Sequence, residues 1–279
     1  MPPRYAERLY RQGGRIARAV SRRWAANLPV GEPPWDALDR EFGRWREPGP
    51  VFWWRDDDAI ESTAASARLL ALRERLALPL GLAVIPALVK PSLPRAVAAT
   101  PPDAVGILVH GWNHVNHAPA DAVPSELAAS RDAAEVAAQL SQGRRRLGRL
   151  FGDRLCPVLV PPFNQISHHL VGTVSAAGFT HVSIDRDFAA LGIATRNVHA
   201  DIMDWDRRTA VSAATLARDI LGALRLRRYG LVEKHSPIGI LTHHLAHDEA
   251  AWSVAEELLE RLSRYLVVSF PPVSEIFAS

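Results

Sequence analysis

From Val51 onward, short apolar runs alternate with longer stretches of helical periodicity. The strand-like runs are 51–57, 78–86, 104–111, 156–163, 180–184, 196–202, 238–245 and 266–270, and helical patterns fall at 60–76, 91–99, 125–150, 167–177, 212–228 and 249–263. Ser62, Ser125, Ser167 and Ser212 stand where helix N-caps belong. Strands alternating with helices imply parallel pairing through right-handed crossovers. Seven or eight such units predict an α/β fold, a distorted (β/α) barrel of seven or eight parallel strands, with a doubly wound open sheet as the competing architecture. No internal repeat or linker interrupts the region, so one barrel domain over 49–279 is expected.

The segment 1–48 reads differently. Arg4, Arg8, Arg11, Arg15, Arg18 and Arg22 recur at helical spacing and form one stripe, beside Leu9, Ile16 and Val20. Gly13 and Gly14 would weaken that helix by roughly 1 kcal/mol each relative to Ala. An Arg-rich helical extension packed on the outside of the domain is expected, with a basic arm for an acidic partner as the alternative.

Composition narrows the picture. The 279 residues are 48% hydrophobic, enough for a barrel-sized core. Lys and Arg exceed Asp and Glu by 33 to 30, an excess too small to mark a nucleic-acid binder, and Lys90 and Lys234 are the only lysines. The single cysteine, Cys156, excludes an intrachain disulfide. No apolar run is long enough for a transmembrane segment, and the charged N-terminus has no apolar secretory core. A cytoplasmic location is the expectation; the oligomeric state stays open.

Polar residues collect at the C-terminal ends of the expected strands. They are Asp56, Asp57 and Asp58 after the first, His110 to His114 after the third, Pro161 to Asn164 after the fourth, Asp201, Asp204 and Trp205 after the sixth, and His243 and His244 after the seventh. In parallel α/β folds that edge builds the active site. His110 and His114 with one carboxylate of the acidic cluster make a three-ligand set that leaves positions open on a divalent cation. Three consecutive aspartates are costly to bury without a cation, and one left over can serve as a general base. His243 can donate a proton to a leaving group, with Asp248 or Asp204 as candidates to orient it or His244. Trp112 and Trp205 suit a sugar ring, whereas Trp53 and Trp54 read as packing residues. His117 reads as a loop histidine.

Asp-Asp, His-x-x-x-His, Pro-Pro-aromatic, Asp-x-x-Asp-Trp and Leu-x-His follow one another in that order across about residues 51–277. This order resembles the polysaccharide deacetylase family, the NodB-like carbohydrate esterases. The resemblance implies a metal-dependent deacetylase, a hydrolase of linear amide C–N bonds that releases an N-acetyl or O-acetyl group from a carbohydrate, glycoconjugate or other small acylated amide. It implies Zn²⁺ or a similar cation held by Asp57, His110 and His114, with Asp56 as base and His243 as acid. It further implies Pro162 and Phe163 at the oxyanion, and Trp205 and Leu241 around the acyl methyl, with Asp204 in the fourth motif.

Three positions depart from that pattern. Val160 stands where the family carries an arginine paired with the catalytic Asp, and Arg55 is the nearby candidate to replace it. Asp58 stands where the family has glycine, which leaves a second register open, with Asp57 as base and Asp58 as ligand. Asn164 replaces another glycine. A non-sugar amidohydrolase of the same fold, or a silent metal- or glycan-binding relative, is the alternative reading.

Overall fold

The computed structural model describes residues 33–185, 187 and 191–278. Seven strands precede a small hairpin: β1 (Phe52–Ala59), β2 (Leu80–Val84), β3 (Val105–His110), β4 (Leu155–Val160), β5 (His181–Val182), β6 (Ala194–Thr195) and β7 (Val198–Asp201). The hairpin pairs β8 (Met203–Asp204) with β9 (Thr209–Ala210), and β10 (Ile238–Thr242) follows. All except the hairpin join one parallel sheet in the order β6-β5-β4-β3-β2-β1-β10-β7.

The sheet curls into a barrel because one extended segment changes partners. Residues 194–195 pair with β5, and residues 198–201 pair with β10. The switch falls at Val198, whose N–H donates to the Ile184 carbonyl at 2.9 Å while the residue itself pairs with Gly239. Asn197 fixes the crossover, its side-chain oxygen accepting from Ile184 N and its carbonyl from Trp53 Nε1.

The helices are α1 (Pro34–Phe42), α2 (Ala64–Leu76), α3 (Ser92–Ala98), α4 (Ala133–Phe151), α5 (Val171–Ala176), α6 (Ala213–Arg228), α7 (Glu249–Ser263) and α8 (Val273–Ile276). The apolar strand faces split the core in two. Phe52, Trp54, Leu80, Leu82, Ile107 and Val109 pack outward beneath the helices. Trp53, Leu108, Val158, Val160, Val198 and Leu241 fill the interior, closed from below by Val273, Ile276 and Phe277. Trp53 and Phe277 meet edge to face at 5.3 Å.

The Arg stripe of 4–22 lies outside the described residues. The later part of the 1–48 segment is in the core: α1 and the turn after it bury Leu38, Phe42 and Trp45. Buried Glu41 of α1 pairs with Arg228 of α6.

Several element boundaries differ from the sequence expectation. Thr63, not Ser62, caps α2, through a reciprocal capping box with Ser66. The helix expected from 125 begins at 133, where Asp132 accepts the N–H groups of Ala134 and Glu135. Residues 125–131 instead form a connection buried at 125–128 and at 131, with Glu126 fully enclosed. Ser212 does cap α6, through Thr215 N. Residues 266–270 form no strand: one parallel bridge joins Ser269 to Val51, and Pro271 and Pro272 then remove donors for any further ladder. No described helix is long and apolar enough to cross a membrane.

Two measurements probe this packing. Cys156 is buried in the lower barrel, and burial pushes its thiol up to about 11. A thiol reagent at pH 7.5 should therefore label Cys156 only after denaturant is added; rapid labelling of the folded protein would contradict the packed barrel floor. Burial also lowers His247 to about 4, with its ring edge-on to Trp252 of α7. A histidine depressed in the folded state contributes stability that is present above its unfolded pKa and is lost as pH falls from about 6.5 toward 4. In urea titrations at pH 7 and pH 5, His247→Gln should lose about 2 kcal/mol less than wild type over that interval, and an equal loss in both would contradict it.

Candidate active site

The site is set by alternation along β1. Successive strand residues point to opposite faces, so Trp53, Arg55 and Asp57 face the barrel interior while Phe52, Trp54 and Asp56 face the surrounding helices. Asp56, expected as the base, is therefore directed away from the metal-ligand group. Its carboxylate accepts from Thr242 Oγ1 at 2.7 Å and from His244 N at 3.0 Å, and also bonds His244 Nδ1. Trp54 Nε1 donates to the same Thr242 hydroxyl at 2.9 Å. This buried knot ties the tip of β1 to the tip of β10, and it occupies both Asp56 and His244.

Beyond Asp56 the strand bulges. Asp56 pairs with Leu82 and Ala59 with Val84, so β1 spends one residue more than β2 over this stretch. Asp58 absorbs the extra residue with a φ of 69°, in the left-handed region. The bulge turns Asp58 to the side that Asp57 already faces, so two consecutive carboxylates reach one site.

Asp58, rather than the expected Asp57, joins the two histidines. Its Oδ1 lies 3.0 Å from His110 Nε2 and 3.2 Å from His114 Nε2. Among the described residues this is the group of His and acidic side chains whose donor atoms, all within 4.8 Å of one another, can hold a metal ion. The donor set fits a divalent cation: His110 Nδ1 lies 3.0 Å from the Val160 carbonyl, which takes the proton on that nitrogen and leaves Nε2 as the lone-pair donor. Burial alone would raise the Asp58 carboxyl, but the two imidazoles outweigh it and hold it well below the usual carboxylate range. Burial would likewise lower His110, and Asp57 and Asp58 outweigh it to raise its pKa.

Asp57 is held from across the barrel. Buried Arg55 donates from Nη2 to Asp57 Oδ2 at 2.9 Å and to Asn164 Oδ1 at 2.8 Å, and from Nη1 to Ser183 Oγ at 2.8 Å. Asn164 and Ser183 follow β4 and β5, so the guanidinium spans the interior above Val160. Asp57 Oδ1 is buried and has no hydrogen-bond partner in the protein. His243 Nε2 stands 3.9 Å from Asp57 Oδ2, and its Nδ1 stands 3.9 Å from Asp201 Oδ1. Trp205 packs edge-on against the His243 ring at 4.5 Å and donates from Nε1 to Asp201 Oδ2. Burial raises the Asp201 carboxyl.

The remaining expected residues fall into place around this centre. The Phe163 ring packs on His114 at 4.5 Å. Pro162 is buried against the tight turn at Gly111, where a Cβ would meet the Pro162 ring at 2.6 Å and Glu126 Oε1 at 2.7 Å. Trp112 is half-buried and anchors its loop through its carbonyl, which accepts from Ala87 N. Leu241 is fully buried in the barrel interior. Asp204 is spent on its own turn, pairing with Arg207 and accepting from Asp206 N. Asp248 caps α7 through Ala251 N, so neither Asp204 nor Asp248 orients a site histidine; Asp201 and Asp56 are the carboxylates beside His243 and His244.

Glu126 was not legible as a site residue. It is fully buried, and its carboxylate accepts from the N–H groups of Trp112 at 2.6 Å, Asn113 at 3.2 Å and His114 at 2.5 Å. It gathers the loop that carries His114, itself at a φ of 59°. Phe163 and Asn164 also take positive φ, at 61° and 52°. Such conformations cost on the order of 1 kcal/mol or more each and persist where surrounding contacts impose them.

No protein-family model matches the sequence, and no curated protein sequence matches it. Solved structures do match the fold. A Mycobacterium smegmatis protein assigned to the polysaccharide deacetylases superposes with a TM-score of 0.60 at 15% identity, over 84% of this chain and 91% of that one. A family 4 acetyl xylan esterase from Clostridium thermocellum, in complex with a cobalt ion, gives 0.53 at 12% identity over 82% and 90%. A family 4 carbohydrate esterase from Streptomyces lividans, in complex with acetate, gives 0.50 at 16% identity over 81% and 97%. The curled parallel barrel of this chain is thus the fold of the polysaccharide deacetylases and family 4 carbohydrate esterases.

Proposed function

We propose that the protein is a metal-dependent deacetylase that hydrolyses an N-acetyl or O-acetyl group of a carbohydrate or glycoconjugate. The observation that carries this reading is the convergence of Asp58, His110 and His114 beside a second, separately held carboxylate, Asp57, and a histidine, His243. The shared fold supports it, as do the cobalt and acetate bound by two of the neighbours. Asp58, His110 and His114 would hold the cation, with Zn²⁺ suited to two imidazoles and one carboxylate. When bound, the cation would polarise the scissile carbonyl and lower the pKa of water.

The rest follows from the chain's own groups. Arg55 fixes one oxygen of Asp57 and leaves Oδ1 open to take a proton from the attacking water. The guanidinium that the family resemblance places at position 160 thus comes from β1 instead. The water oxygen adds to the acyl carbon, and the negative charge on the carbonyl oxygen is met by the Phe163 N–H. His243, flanked by Asp201 and Trp205, delivers a proton to the departing nitrogen or oxygen as the acyl bond breaks. The products are acetate and the freed amine or alcohol. Asp56 has no part in proton transfer; with His244 it positions β1 against β10.

Acetate release from N-acetylated glycosides tests this, with protein loaded with Zn²⁺ or Co²⁺. Wild type should release acetate and lose the activity on chelation. Asp57→Asn and His243→Gln should each lower kcat by about 10²–10⁴. No release by metal-loaded protein, or an undiminished rate in Asp57→Asn, would overturn the assignment.

A further inference from the structure

Glu126 is a fully buried carboxylate with no part in the proton transfers at Asp57 and His243. Both of its oxygens are spent on one short segment. Oε1 accepts from Trp112 N at 2.6 Å, and Oε2 accepts from Asn113 N at 3.2 Å and His114 N at 2.5 Å. These are three consecutive backbone donors, and they lie between the two histidines of the metal-ligand group. The segment belongs to no helix or strand, so the carboxylate stands in for the backbone acceptors that a ladder would supply.

The two histidines are held differently. His110 ends β3 within the sheet, paired with Val160, and its Nδ1 is fixed by the Val160 carbonyl at 3.0 Å. His114 has no hydrogen bond at Nδ1 among the described residues; its ring meets Asp58 Oδ1 and lies against the Phe163 ring. The direction of that ring is therefore set largely by the backbone beneath it, which takes a φ of 59°. A non-glycine residue stays in the left-handed region only where its neighbours hold it there, and the His114 N–H is held by Glu126.

Glu126 can hold this loop because its own backbone is anchored on another strand end. Leu127 bridges to Ile166 beyond β4, Ser167 N donates to the Leu127 carbonyl at 2.8 Å, and Ser125 Oγ donates to the Gln165 carbonyl at 3.3 Å. Gly111, at a φ of 57°, leaves the space that the carboxylate occupies. We propose that Glu126 is the positioning residue for His114: by gathering the amides of 112–114 onto the segment anchored beyond β4, it fixes that imidazole relative to Asp58 and His110 and so sets how tightly the cation is held. This rests on the metal-site reading for the ion and on the hydrogen bonds alone for the clamp.

Glu126→Gln tests it, since the amide keeps the volume but turns an NH2 group toward backbone donors that need an acceptor. Zn²⁺ affinity, measured by competition with a chromogenic chelator, should fall by about 10–100-fold, the range for loss of a partner that orients a ligand. His114→Ala should weaken binding further. Adding Glu126→Gln to His114→Ala should then change the affinity by less than about threefold, because the ligand it positions is gone. Equal affinity in wild type and Glu126→Gln, or an undiminished effect in the His114→Ala background, would overturn the proposal and leave the metal site standing. If wild type binds no Zn²⁺, the metal-site reading fails and takes this role with it. Hydrogen exchange on the metal-free wild type keeps the test open should the variant not fold. The amides of Trp112, Asn113 and His114 should be protected, and rapid exchange at all three in the folded protein would overturn the clamp.

Discussion

A single extra residue in β1 is the constraint on which the site depends. Strict alternation would place Asp57 inward and both of its neighbours outward. The bulge between Asp56 and Ala59, taken up by Asp58 at positive φ, brings a second consecutive carboxylate to the interior side. The two can then differ in duty, because their environments differ. Asp58 is bracketed by two imidazoles, whereas Asp57 is bound on one oxygen by a guanidinium and unpartnered on the other. Asp56, on the outer face, ties the tip of β1 to the tip of β10 through Thr242 and His244.

The surroundings hold that arrangement with buried charge. Arg55 crosses the interior to reach Asn164 and Ser183, and its burial is tolerable because three oxygen-bearing side chains meet it. Val160, fully buried, belongs to the apolar interior cluster with Trp53, Leu108 and Leu241. Glu126 plays the matching part on the other side, collecting three backbone N–H groups so that the His114 loop keeps its left-handed turn. Positive φ at Asp58, His114, Phe163 and Asn164 is concentrated around one group of side chains, held by the contacts of Arg55 and Glu126.

Much of this was legible in the residue pattern. The alternation of apolar runs and helical stretches gave the parallel barrel, and the placement of polar residues at strand ends located the mouth. His110, His114 and His243, singled out at strand ends, come together with Asp57 and Asp58 in the structure. The choice among Asp56, Asp57 and Asp58 was not legible, since a motif aligned by residue type carries no information about a bulge. The two registers left open differ by one residue, and in a strand one residue changes the face. Glu126 was hidden because 125–150 has an unbroken helical pattern, and only the tertiary demand of three orphan amides pulls its first turns out of the helix. The short β5 and split β6–β7 were blurred for a related reason: pairing partners, not local propensity, decide where one strand stops.

The central claim is that Asp58, and not Asp57, shares the cation with the two histidines. Metal content after dialysis against Zn²⁺, measured on cooperatively folded Asp57→Ala and Asp58→Ala proteins, tests it directly. The account predicts that Asp57→Ala keeps wild-type stoichiometry while Asp58→Ala loses most of its metal; retention by Asp58→Ala with loss by Asp57→Ala would contradict it.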